Sequence, residues 1–428
     1  MRRDLMVLFV GAACLRLAVA LALDAPPSWD GVIYERAARQ LAAGEGYTQR
    51  MLNPKKPPRP TAFYPVGFPA TLAGAYRVLG TQAWSAALLQ AIAGAISVAA
   101  GYVLARRLAA RRAALLASSL HAVAPGPVLM SATYLSEPVT AAGLALALVA
   151  MSWPGAARGS RTSWRLVAAH GIAGVVGGLA ALARPTALGA MALAGFVAPL
   201  VARRRIALRV AMVVVTLGGI ALAIAPWALR NARALGAPVA VSTNDGVNLL
   251  IGAMDGDGRF VPLPPELDCG KTRREIESDR CRRALALERI AESPLAWIAR
   301  SVPKVAHTFG YESSPVLATI PDAPRLVSAS LVALSTLAWW AALAFAIRGA
   351  IRRLRGAIAS RRRLVLALVV VAGVFAATHA VFLGGDRYHL PLWPVVAALA
   401  AAGVTRAVAP SRAAVAARAL GLAPHREP

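Results

Sequence analysis

The sequence predicts an all-α polytopic membrane protein with about ten transmembrane helices and two sizeable extracytoplasmic loops. Three observations predict it. Of 428 residues, 57% are apolar and only 16% are charged. The charges fall in blocks between uncharged runs, each long enough to cross a hydrocarbon core of about 30 Å, which takes roughly 20 helical residues. The basic residues outside the two large loops cluster at the ends of those runs, as topology determinants do. A soluble chain of this length would carry charge over the surfaces of two or three domains. The net charge of +27 resembles a nucleic-acid footprint, but its placement at run ends argues against nucleic acid. Arginine greatly outnumbers lysine (Lys55, Lys56, Lys271 and Lys304), which with the alanine-rich runs fits a GC-rich bacterial genome.

The first apolar run, Leu5 to Leu23, follows Arg2 and Arg3 and lacks a small-residue cleavage motif, so it reads as a retained span. Further runs cover Val78–Ala105, Ala113–Ser136, Pro138–Ala157, Leu166–Ala183, Pro185–Ala202 and Val210–Leu229. Leu326–Ile347, Leu364–Gly385 and Tyr388–Thr405 complete ten candidates. With Arg2 and Arg3 inside, Arg106/Arg107/Arg111/Arg112, Arg158/Arg161/Arg165, Arg203/Arg204/Arg205/Arg209 and Arg348 through Arg363 all fall on the cytoplasmic side. So does the tail with Arg406, Arg412 and Arg418, and the expected topology is N-in, C-in. Four of the twenty carboxylates lie in residues 24–81 and twelve in 230–325, the two stretches placed outside. Glu137 and Asp386 occupy outer turns. Acid–base chemistry is therefore expected on the outer face of a single membrane domain, residues 1–428.

Trp84, Trp153, Trp164, Trp227 and Trp393 stand near run ends, where amphipathic rings favour the interface; Trp339 and Trp340 are mid-span exceptions. Gly174 and Gly178 form a small-xxx-small pair suited to helix packing. Pro60–Tyr76 is uncharged but holds Pro60, Pro65 and Pro69, and reads as an interfacial or re-entrant segment. Cys14 in the first span reads as packing. Cys269 and Cys281 share the large outer loop, where an oxidising compartment favours a disulfide over free thiols.

Asp30 follows the first span, in Trp29-Asp30-Gly31-Val32-Ile33-Tyr34. It is well placed to cap a short helix from Val32 to Leu41. Its functional reading is a surface carboxylate, ionised near pH 7 because an unperturbed Asp titrates near ~4, that accepts a proton from a hydroxyl. Glu137, in Ser136-Glu137-Pro138, reads as an exposed hairpin tip or as a cavity-shaping partner of a base. Arg184, Arg230 and Arg387 sit at the outer ends of apolar runs, where arginine snorkels, pairs or binds an anion. Snorkelling accounts for Arg230, and Asp386 is the simple partner for Arg387. Together the outward arginines form a cradle for phosphate. Arg16, inside the first span, is placed to contact a neighbouring helix. No P-loop, dinucleotide fingerprint, HExxH or nucleophile elbow occurs. Asp255-Gly256-Asp257-Gly258 reads as a turn, and the six histidines show no metal-ligand spacing.

In order, these blocks resemble the bacterial GT-C glycosyltransferases of the protein-mannosyltransferase and aminoarabinose-transferase type. The resemblance rests on Asp30 to Tyr34 with Ala37, Leu41 and Gly46-Tyr47, then Pro60 to Pro69, Ser136-Glu137-Pro138 and Arg184-Pro185-Thr186. Pro226-Trp227 through Arg230-Asn231, Ser242 to Leu249 with Ile251-Gly252, and Arg387-Tyr388 with Pro391 follow. It implies a GT-C-like fold and transfer of a sugar from a polyprenyl-phosphate donor to a lipid, glycan or protein acceptor. The site would lie on the outer face of a bacterial inner membrane. Asp30 is then the catalytic base, and Tyr34, Arg59, Tyr64, Glu137, Arg184, Asn244, Arg387 and Tyr388 are the expected substrate-binding set. Gly31 stands where relatives carry a second acidic residue, and Ile33 where some carry arginine. No cofactor is expected, and the residues do not fix whether a divalent metal takes part. A lipid or solute transporter would instead show internal repeats and mid-membrane ionisable groups; no clear repeat is present. An envelope-assembly scaffold fits the spans but not the ordered outer motifs.

Overall fold

A computed structural model describes residues 1–153, 163–202, 204–269, 274–356 and 359–404. Among these residues there are helices and no strand, with one isolated bridge between Thr48 and Pro60. Arg158, Arg161, Arg203, Arg406, Arg412 and Arg418 lie outside the described residues. The chain opens with α1 (Arg2–Leu23), α2 (Asp30–Ala42), α3 (Gly67–Leu79), α4 (Ala83–Leu108), α5 (Arg111–Val123) and α6 (Pro125–Met130). Next come α7 (Glu137–Met151), α8 (Ser163–Ala183), α9 (Thr186–Leu200) and α10 (Ile206–Leu235). The large loop folds as α11 (Asp245–Ala253), α12 (Glu275–Glu292), α13 (Pro294–Gly310) and α14 (Ser314–Thr319). The chain then continues through α15 (Arg325–Leu354), α16 (Ala359–Val381) and α17 (Trp393–Val404).

Among the described residues, six helices are long and apolar enough to cross a membrane: α1, α4, α8, α10, α15 and α16. Two of the expected spans are shorter, α7 and α9, and α17 with its preceding turn from Leu390 is described only as far as Val404. At about 1.5 Å per residue, the fifteen residues of α7 or α9 reach only about 22 Å. The tenth run, Ala113–Ser136, is broken into α5 and α6 at Ala124, whose ψ of 130° is extended. Pro125 causes the break, because it lacks an N–H and disfavours helical geometry in the residue before it. The carbonyls this leaves at the end of α5 explain Arg16. Its wholly buried guanidinium donates to the carbonyls of His121 (3.1 Å) and Ala122 (2.8 Å). The charge inside the first span is thus a cap on its neighbour.

The segment from Pro60 does not form one long helix. It runs irregularly, bent at Phe63, Tyr64 and Val66, and then forms α3, which packs on α2. Trp393 departs from the interfacial role expected of it: it is buried and donates its indole N–H to Glu312 at 2.9 Å. Trp339, buried mid-span, donates to the Phe309 carbonyl. Cys14 is exposed on α1 rather than packed. Arg230 does not snorkel; it donates to the carbonyls of Thr61 (2.7 Å) and Tyr47 (2.8 Å). Glu275, at the start of α12, accepts from the Thr61 hydroxyl, the Ala62 N–H and the Thr243 hydroxyl. These two charges fasten the loop after α1 to α10 and the long segment after it.

Small residues set the interhelical distances. α17 is buried along its length, and a Cβ on Gly349 of α15 would lie 2.0 Å from the Leu399 carbonyl oxygen. Gly174 and Gly178 of α8 face α10, where added Cβ atoms would meet the carbonyls of Thr216 and Ile220, so this pair serves packing. Gly219 returns the contact, 2.6 Å from the Gly171 carbonyl oxygen, whereas Gly218 beside it has nothing within 4 Å. Overpacking typically costs about 1–3 kcal/mol. Gly219→Leu should lower the melting temperature of the detergent-solubilised protein, and Gly218→Leu should leave it unchanged.

Candidate active site

The loop after α1 delivers Asp30 through an unusual residue. Trp29 precedes α2 with φ of 51°, a left-handed conformation uncommon outside glycine, which stores strain where it occurs. Trp29, and not Asp30, is the N-cap, and Asp30 is the first helical residue. Its carboxylate caps nothing. Oδ1 accepts from the Tyr64 hydroxyl at 3.1 Å, and Oδ2 makes a short contact with Arg387. Gly31 lies against Tyr134, where an added Cβ would come within 3.2 Å of Tyr134 Cβ. The position that carries an acid in the resembled family is therefore filled by a close helix–loop contact. Tyr34 packs edge-on against Tyr64 and Phe68, with ring centroids 5.6 Å apart in each case.

Behind Asp30 lies a second carboxylate. Glu137 is not an exposed hairpin tip: it is 1% exposed, receives Arg184 Nη1 at 3.0 Å and lies 3.8 Å from Arg387 Nε. Asp30, Arg387, Glu137 and Arg184 thus alternate in sign. A buried carboxylate needs such partners, since an unpaired charge is strongly destabilising. Asp386 does not pair with Arg387. It accepts from the N–H groups of Ser313 (2.6 Å) and Ser314 (2.8 Å) and from both serine hydroxyls. It is committed to the start of α14, and its neighbour is left free to reach Asp30. Tyr388 stacks on His379 at 4.6 Å, and Arg184 and Arg387 lie over its ring at 4.9 and 5.4 Å. His389 lies between the Thr308 carbonyl and Glu312. Each residue of Asp386-Arg387-Tyr388-His389 is thereby fixed by a different element.

Burial works to raise the pKa of Asp30, but Arg387, the Tyr64 hydroxyl and Arg184 outweigh it and hold the carboxyl below its ordinary value. Asp30 is ionised at neutral pH. Tyr64 moves the other way: burial and the Asp30 charge push its phenol up, so it stays a neutral donor.

These groups open into a cavity of about 1170 Å³. Asp30, Tyr34, Tyr64, Arg184, Asn244, Arg387 and Tyr388 line it, while Leu188, Val247, Ile251 and Phe382 supply apolar wall. Arg59 is exposed and outside the cavity, and Glu137 stands behind its wall. Asn244 precedes α11 and accepts from the Ser242 hydroxyl at 2.7 Å. The starts of α2, α9 and α11 border the cavity, and their backbone dipoles favour anions there. Cys269 and Cys281 are joined in a disulfide, with Cα atoms 6.0 Å apart. Asp257 accepts from the Arg259 N–H within the Asp255–Gly258 turn, as a turn aspartate does. Among the described residues, no three His, Cys, Asp or Glu side chains gather to hold a metal ion. Sequence reading missed Trp29, Ser313 and Ser314 as supports of this site. The serines lie more than seventy residues from the aspartate they hold, with no motif to mark them.

Residues 64–229, less than half of the chain, match the family model "Dolichyl-phosphate-mannose-protein mannosyltransferase". No curated protein matches the chain. Among solved structures, an Archaeoglobus fulgidus oligosaccharyltransferase tethered with an acceptor peptide matches 93% of the chain at 17% identity, with a TM-score of 0.53. The chain spans about half the length of that protein (49%). ArnT from Cupriavidus metallidurans bound to undecaprenyl phosphate matches 90% of the chain and 77% of its own, at 17% identity and a TM-score of 0.40. The resemblance to GT-C glycosyltransferases read from the ordered motifs therefore holds, and the fold is that of a polytopic GT-C-like membrane protein.

The charge alternation makes a stability prediction. Arg184→Gln strips the buried Glu137 of its near partner and should destabilise the protein by about 3–5 kcal/mol. Arg184→Gln combined with Glu137→Gln should recover much of that loss in denaturant titrations of the solubilised protein.

Proposed function

We propose that this protein transfers one sugar from a polyprenyl-phosphate donor to a hydroxyl acceptor at the extracytoplasmic face of a bacterial inner membrane. The observation that carries the reading is an ionised Asp30 beside Arg184 and Arg387 in one cavity with an apolar wall. A hydroxyl acceptor needs a base, a departing phosphate needs fixed positive charge, and a polyprenyl chain needs apolar surface. The family model matched by residues 64–229 is named for a lipid-phosphate sugar donor, which fits the same reading. Charge placement supports the side: most carboxylates lie in the two stretches that the positive-inside rule puts outside.

In the reaction, Asp30 takes the acceptor proton as the acceptor oxygen bonds to the anomeric carbon. The bond from that carbon to the phosphate oxygen breaks, and its electron pair leaves with the lipid phosphate. Arg184 and Arg387 stabilise the charge that develops there. Glu137 acts at one remove by fixing Arg184, and Tyr64 holds Asp30 in place. A transporter reading finds less support, because the mid-span Arg16 is committed to helix carbonyls.

The test is turnover of polyprenyl-phosphate sugars by the purified protein in nanodiscs. Asp30→Asn should lower kcat by about 10²–10⁴-fold; wild-type turnover in that variant would remove Asp30 from the mechanism. The pH profile supplies a second check. Arg387 helps to hold the Asp30 pKa down, and the base is active when ionised. Arg387→Gln should therefore move the acid limb of kcat/KM to higher pH, and an unmoved or lowered limb would contradict the assignment.

A further inference from the structure

The contact between Asp30 and Arg387 conflicts with the roles just given to them. A carboxylate held by a guanidinium is a poorer base, and a guanidinium held by a carboxylate has less charge to offer a phosphate. The surroundings show which of the two can move. Asp30 is fixed at the start of α2 and held by Tyr64. Arg184 is anchored by Glu137 at 3.0 Å. Arg387 reaches Asp30 through Nη2, keeps Nε 3.8 Å from Glu137 and lies between the rings of Trp29 (5.6 Å) and Tyr388 (5.4 Å). Flat aromatic faces attract a cation over a broad area, so the guanidinium can slide between partners without losing them. It borders the cavity beside Arg184.

We infer that Arg387 is exchanged between Asp30 and the donor phosphate during the reaction, which couples proton uptake to phosphate departure. The inference rests on the sugar-transfer reading above. As the acceptor oxygen bonds to the anomeric carbon, its proton passes to Asp30, which becomes neutral and loses its hold on Arg387. As the carbon–oxygen bond to phosphate breaks, the electron pair stays on that phosphate, which gains a negative charge. Arg387 loses one counter-ion as another appears beside it, and Glu137 keeps the guanidinium from leaving the cavity. Before transfer, the same contact keeps the base covered.

A neutral side chain at position 30 mimics the state after proton uptake. The test is binding of a polyprenyl monophosphate to the full-length protein in nanodiscs. The proteins are wild type, Asp30→Asn, Asp30→Ala, Arg387→Gln and the Asp30→Asn/Arg387→Gln double variant, each confirmed folded by its melting transition. Asp30→Asn and Asp30→Ala should each bind at least about tenfold tighter than wild type, the scale of close charge-pair coupling. The double variant should bind no tighter than Arg387→Gln alone. Unchanged or weaker binding in both Asp30 variants overturns the exchange, even where the wild type binds phosphate and turns over. A gain that persists without Arg387 also overturns it, because another cation then receives the phosphate. If wild type and both Asp30 variants bind no phosphate and the wild type has no turnover, the sugar-transfer reading falls as well.

Discussion

Arg387 reaches Asp30 across 357 residues of sequence, and the arrangement of the charged cluster depends on that contact. It joins the first loop to the segment before the last helix, and Glu137 and Arg184 complete the pairing from the turns between. Charges withdrawn from water need partners with good geometry, which explains the surrounding commitments. Asp386 is held at α14, His389 at Glu312, and Tyr388 beneath both guanidiniums. The strained backbone at Trp29 belongs to the same set: it starts α2 at Asp30 and lays an aromatic face against Arg387.

The helices make room for this cluster by being short or broken. α7 and α9 begin at the site and, at fifteen residues each, are too short to cross a 30 Å core unaided. The cavity with its apolar wall lies where α9 and α11 begin. The break at Pro125 leaves carbonyls at the end of α5, and Arg16 satisfies them. Away from the site, glycine and alanine faces pack closely and α17 is enclosed on all sides. A close-packed helical bundle thus supports the polar cluster.

Hydropathy made the membrane-protein character and the long apolar helices legible, because putting charge in hydrocarbon is costly. Asp30, Arg184 and Arg387 were legible as charged candidates at the ends of apolar runs, Tyr64 entered only through the family resemblance, and the structure brings all four to one cavity. Their pairing was not. Sequence adjacency suggested Asp386 for Arg387, but neighbouring residues in a turn point to different elements, and Asp386 is taken by Ser313 and Ser314. Composition could not show that Glu137 is buried, because its exposure depends on which arginine reaches it. Arg59 illustrates the converse: a favourable sequence position beside Pro60 still leaves it exposed and outside the cavity. Arg230 looked like a snorkelling residue, yet its partners are carbonyls of the first loop.

The most direct measurement is an experimental structure of the full-length protein in nanodiscs with a polyprenyl monophosphate bound. The account predicts the phosphate within hydrogen-bonding distance of both Arg184 and Arg387, the contact between Arg387 and Asp30 opened, and the lipid chain along Leu188, Ile251 and Phe382. A phosphate bound elsewhere, with Arg387 still on Asp30, would contradict it.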